Sequence, residues 1–246
     1  MSWNNNRSHS KREPDPFDGI LLVDKPAEWT SHDVVAKIRN HFKFQKVGHG
    51  GTLDPLATGL LVLLIGKGTK LSDRIMGGDK IYEGTIQLGV TTSSQDRDGE
   101  VLEENDASHI TRGQVEALLP NYLGDIEQIP PMVSAIKKDG VPLYKMARKG
   151  LEIEREPRKI HIYSYEITGF DNPFVHFRVK STKGTYVRTL AHDLGNDLGV
   201  GASLYNLRRT GSGPLGIDKA HSMEEILACD RETIGEKMVL LSDMMA

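Results

Sequence analysis

Three glycines and a proline fall within GHGGTLDP (residues 48–55), and residues 60–65 just beyond it are uninterrupted apolar. The first stretch is loop chemistry, because glycine is unrestrained and proline lacks an N–H. The second must be buried, as a strand or a helix turn; so short a run does not separate the two by periodicity. A loop is therefore tied closely to the core. The stretch KVGHGGTLDPLATGLL carries one acid, Asp54, one histidine, His49, and no cysteine. Any chemistry built here works with a single carboxylate as its main reactive group.

The rest of the chain mixes strands and helices. GILLVDKP (19–26) reads as a buried strand ended by proline. Ser31 is expected to cap a helix carrying Val34, Val35, Ile38 and Phe42 on one face. Residues 80–89 alternate as a strand, and 91–99 read as a polar loop. Thr111 caps a helix to about Leu119. Residues 129–150, with Pro-Pro, Asp-Gly and a short basic helix, read as a projecting hairpin-like insertion. Residues 159–168 and 174–181 are strands around an Asp-Asn-Pro turn, 185–198 a helix and 203–209 a strand. Ser222 with Glu225 forms a capping box for a last helix. Without regular βαβ alternation, this order predicts an α+β domain with a mixed, largely antiparallel sheet and flanking helices. Residues 1–17 read as a disordered tail.

Charge is unevenly spread. Eight Lys or Arg stand against four acids over 137–159, while nine acids stand against two arginines over 95–127. A polyanion would be drawn to one face and repelled by the other, although charge runs of this size also occur on ordinary solvated surface. The longest apolar run is about a third of a bilayer span. The polar N-terminal stretch lacks a signal-peptide core, and the lone Cys229 forms no internal disulfide. The expected location is the cytoplasm, without a membrane.

Two nucleotide-binding motifs fail on context. GSGPLG (211–216) holds a proline and precedes no amphipathic helix; GKGT (66–69) lacks the first glycine of a phosphate loop. No spacing suits a metal. Asp54 remains: as a metal ligand it lacks partners and as a glycosidase-type acid/base it lacks a paired acid, whereas a covalent nucleophile needs only to be ionised and aimed at an electrophilic carbon. A turn aspartate before proline is the plain structural alternative. In STKGTYVRTLAHDLG (181–195), Arg188 stands at a helix start, where the macrodipole favours anions. It therefore calls for an acid or a phosphate beside it, unless it is simply exposed. Tyr82, in the alternating strand, suits either packing or stacking on a flipped base.

Four segments in order, GILLVDKPAEWTSHDVV, KVGHGGTLDPLATGLLVLLIGKGTKLS, KIYEGTIQLGVTTSSQDRDGE and STKGTYVRTLAHDLG, resemble the TruB family of tRNA pseudouridine synthases over about residues 19–210. The resemblance implies a pseudouridine synthase fold with a central RNA-binding cleft. It implies conversion of uridine to pseudouridine at position 55 in the T-loop of tRNA. It assigns Asp54 as the catalytic aspartate, Tyr82 as the stacking ring and Arg188 as the partner of Asp54. His49, Tyr186 and Leu207 fall at pocket-lining positions, and 129–158 at the insertion that clamps the T-arm. Lys137, Lys138, Arg148, Lys149, Arg208 and Arg209 are the basic candidates for RNA contact. About 35 residues follow Arg209, so residues 18–246 read as one catalytic domain without a separate C-terminal module. The reaction is redox-neutral, so no cofactor, no metal and no obligate protein partner are expected. Two other readings are a non-catalytic RNA-binding or tRNA-folding module, and a related synthase acting on another RNA.

Overall fold

The computed structural model describes residues 17–241 except 135, 139, 148, 149 and 152, with backbone alone at 137, 138, 142, 144 and 145. Strand β1 (Gly19–Lys25) leads into helix α1 (Ser31–Phe42). The cap of α1 is Thr30 and not Ser31: Thr30 accepts from the Asp33 amide, and the Asp33 carboxylate returns to the Thr30 N–H. The competing principle is the capping box, which needs an acid three residues on. Short strand β2 (Val47–His49) reaches into the glycine-rich stretch, and β3 (Thr58–Ile65) resolves the apolar run as a strand. Helix α2 (Ser72–Gly77) precedes β4 (Lys80–Leu88).

Strands β5 (Val90–Thr92) and β6 (Val101–Glu104) pair as a separate ribbon, so the polar stretch 91–99 begins as strand. Helix α3 (Arg112–Leu118) carries its Thr111–Gln114 capping box. After β7 (Gly124–Gln128), the insertion forms a hairpin of β8 (Lys137–Lys138) and β9 (Val141–Pro142), then α4 (Leu143–Ala147). Strands β10 (Arg158–Asp171) and β11 (Phe174–Ser181) form a long hairpin, followed by α5 (Val187–Asp197) and β12 (Ala202–Ser212). β13 (Leu215–Gly216) folds back on β12, so GSGPLG is a hairpin turn. β14 (His221–Ser222), α6 (Met223–Leu227) and β15 (Met238–Leu240) complete the chain.

Among the described residues, eleven strands join one sheet with central order β14-β1-β3-β12-β4-β11-β10-β7. The β1–β14 and β3–β12 pairs are parallel and the rest antiparallel, the largely antiparallel α+β sheet expected from the element order. Alternation along β4, β11 and β12 turns Ile86, Leu88, Val175, Phe177, Val179 and Leu204 inward, where α5 covers them with Leu190, Ala191 and Leu194. Gly195 allows that approach, since a Cβ there would lie 2.1 Å from the Ala202 nitrogen. Phe17, assigned to the tail from sequence, instead packs 5.5 Å from Phe44, ring centre to ring centre. Residues 1–16 lie outside the described set.

Candidate active site

Asp54 sits on a loop whose backbone is held from three sides. Ser31, buried on the first turn of α1, accepts from the Leu53 N–H at 2.8 Å and donates to the Leu53 carbonyl at 3.1 Å. Arg209, 1% exposed, donates to Leu60, Thr52 and Gly51 carbonyls at 2.8, 3.4 and 3.1 Å. Lys25 Nζ reaches the Pro26, Trp29 and Pro55 carbonyls at 2.8, 2.6 and 3.3 Å. Charged donors make the stronger class of hydrogen bond, so the loop is fixed by its carbonyls while its carboxylate stays available. Gly59, at φ +95°, lets β3 lie against β12; a Cβ there would meet the Arg209 carbonyl oxygen at 2.3 Å.

Arg188 comes from the opposite side, on the first turn of α5. That helix has no side-chain cap of its own at Tyr186. Instead Gln128, buried at the end of β7, accepts from the Tyr186 N–H at 2.8 Å and donates to its carbonyl at 3.0 Å. So held, Arg188 places Nε 3.0 Å from Asp54 Oδ2 and Nη1 3.4 Å from Asp96 Oδ2. It also donates to the Ser94 carbonyl at 3.0 Å and the Val133 carbonyl at 2.9 Å. The two acids differ in surroundings: Asp54 is 43% exposed and Asp96 8%. Burial raises the Asp96 carboxyl above the usual range, opposed by the Ser94 hydroxyl and by Arg188. A cation on a helix N-terminus is thus balanced by two acids and two carbonyls from other elements.

These groups line a cleft of about 290 Å³. Asp54, Tyr82, Tyr186, Arg188 and Leu207 meet there, joined by Met76, Lys80, Ser134 and Lys183. Antiparallel pairing sets Tyr82 beside Arg209 and Gly84 beside Leu207. Lys80 Nζ donates to the Ile75, Met76 and Gly78 carbonyls at the end of α2. Burial lowers the pKa of Lys80 to about 8, as it does that of Lys25. Burial raises the Tyr186 phenol, against the Ser134 hydroxyl and the Arg158 and Arg188 charges.

The other candidate residues take different places in the structure. Arg209 is buried and lines the cleft, where three of its N–H groups brace the Asp54 loop by its carbonyls. Arg208 clamps Asp24 with two bonds of 3.0 and 2.6 Å and is outside the cleft lining. His49, paired to Leu63 on β2, is outside it too; burial lowers its pKa and its Nδ1 makes no hydrogen bond. The side chains of Lys137 and Lys138, and Arg148 and Lys149 entirely, lie outside the described residues. Asp96 was missed as a site residue although it stands in a segment that carries the resemblance; a loop acid has no local mark of burial. Among the described residues, no three His, Cys, Asp or Glu gather to hold a metal, and no helix is long and apolar enough to cross a membrane.

The profile of the TruB family pseudouridylate synthase N-terminal domain matches residues 39–187. The chain belongs to the TruB family of pseudouridylate synthases. The profile of the tRNA pseudouridylate synthase B C-terminal domain matches residues 188–245. In the fold that second stretch is woven into the same sheet, through β12 at its centre and β14 and β15 beside β1. The tRNA pseudouridine synthase B of Opitutus terrae is 52% identical over 223 residues, 91% of this chain and 92% of the relative. That of Geobacter sulfurreducens is 46% identical over 85% of this chain and 69% of its own length. In the crystal structure of a Cbf5–Nop10–Gar1 complex, one chain superposes with a TM-score of 0.72 at 27% identity. The match covers 93% of this chain and 61% of that one, so this chain spans about three-fifths of its length.

Proposed function

We propose that this member of the family isomerises uridine to pseudouridine at position 55 in the T-loop of tRNA, with Asp54 as the attacking carboxylate. The observation that carries the reading is the 3.0 Å ion pair between Asp54 and a buried Arg188 on the wall of a cleft. The reaction breaks an N–C glycosidic bond and makes a C–C bond to the same base, so no electrons are gained or lost. It needs a flipped nucleotide, a nucleophile kept ionised, and a pocket that retains the detached base while it turns. Arg188, at 3.0 Å, holds the Asp54 carboxylate in place on the cleft wall. Tyr82 and Leu207 are the stacking ring and the apolar wall, and Tyr186 the polar neighbour.

The named relatives act on tRNA, which supports tRNA as substrate. Residues 129–158 are assigned to gripping the T-arm, and 18–246 to one catalytic unit that acts in the cytoplasm without a cofactor or protein partner. The deciding experiment incubates purified protein with unmodified tRNA transcript and maps pseudouridine by carbodiimide-dependent reverse-transcription stops. One new stop at the T-loop uridine is the expected result. No stop, or stops elsewhere only, overturns the assignment.

A further inference from the structure

Ser134 is 5% exposed and lies in the insertion, yet it lines the same cleft as Asp54. Its hydroxyl is buried and makes no hydrogen bond. A buried unpaired hydroxyl costs free energy, so its retention calls for a partner formed at another stage. The position is pinned from both sides: the Val133 carbonyl takes Arg188 Nη2 at 2.9 Å, and the Ser134 N–H turns back to the Met132 carbonyl at 3.0 Å. The polar side chain that feels the hydroxyl is Tyr186, whose own backbone is clamped by Gln128.

We propose that Ser134 is a positioning residue: its hydroxyl closes onto the Tyr186 phenol when RNA fills the cleft and aims that phenol at the flipped nucleotide. The inference rests on the reading of Tyr186 as a substrate-contacting residue. Both residues line the same cleft, and the phenol is the polar side chain nearest to hand for a hydroxyl that lacks a partner. The insertion thereby contributes to the reacting centre and not only to docking.

The test is a double-mutant cycle on single-turnover rates with saturating enzyme and a T-arm hairpin. Ser134→Ala is expected to slow turnover about 3- to 10-fold, the worth of one neutral hydrogen bond, with the RNA dissociation constant within about twofold. Ser134→Thr, which keeps the hydroxyl, is expected to restore the rate. In a Tyr186→Phe background, Ser134→Ala is expected to add nothing. A wild-type rate for Ser134→Ala, or effects that simply multiply with those of Tyr186→Phe, overturns the inference while leaving the site intact. A wild-type rate for Tyr186→Phe overturns instead the reading on which it rests.

Discussion

Arg188 divides its donors among two carboxylates and two carbonyls, and no other cation reproduces that fork. Lysine brings one compact ammonium on a shorter, flexible stem. Arg188→Lys is therefore expected to lower the single-turnover rate at least about 100-fold, and to lower stability because Asp96 is left buried and poorly paired. Rapid-quench assays and a denaturant titration check the two effects separately. Asp54→Asn is expected to abolish turnover with tRNA affinity kept within about tenfold, or about 1.4 kcal/mol. An amide is a poor nucleophile, and Asp54, at 43% exposure, holds little of the fold. Residual turnover near the wild-type rate would remove Asp54 from the reaction.

The elements act mainly by bringing loops to the cleft. Strand β12 does most of this: it pairs with β3 and β4, and its Arg209 turns back into the loop before β3. Gly59→Ala strikes that junction, adding a Cβ at positive φ and 2.3 Å from a carbonyl oxygen. Its expected cost is at least about 2 kcal/mol, read as a lower denaturation midpoint. Lys80 holds the end of α2 by three carbonyls, and its pKa falls from 10.5 to about 8. Between those values the unfolded chain binds a proton that the folded chain has released, so stability rises with pH. Relative to a Lys80→Met variant, which does not titrate there, the wild type is expected to gain stability from about pH 8 to 10.5. Thermal melts of both proteins across that range give the comparison, and a gap that does not change places the Lys80 proton elsewhere.

At the scale of the molecule the charge is divided: acids crowd 95–127 and cations 137–159, on a chain of formal net charge −3. Net charge would not attract RNA; an insertion presenting its cations together would. Replacing Lys137, Lys138, Arg148 and Lys149 by Ala is expected to weaken RNA binding and to flatten the log–log salt dependence by about 3 to 4 units. The saturating single-turnover rate is expected to change little, because the insertion reaches the centre through Val133 and Ser134, which stay in place. Affinity measured from 50 to 300 mM salt separates this from a solvated surface, for which both slope and affinity would be unaltered.

Local sequence patterns marked most of the elements and the loop that carries Asp54. Alternation marked β4, an Asp-Asn-Pro turn marked the β10–β11 hairpin, the cap Thr111 marked α3, a capping box marked α6, and three glycines with a proline marked the loop of Asp54. These are legible because they depend on residues a few positions apart. The run 60–65 was not, since burial on both faces erases periodicity; its pairing with β1 and β2 decided for a strand. Ser31 looked like a cap and is a brace for Leu53, 22 positions away. Arg209, a basic candidate from its sequence position, is buried on the cleft wall and holds carbonyls of the loop it supports. Asp96 and Ser134 had no local mark at all. What a polar side chain does depends on which distant backbone or charge the fold sets against it, and only the tertiary structure decides that.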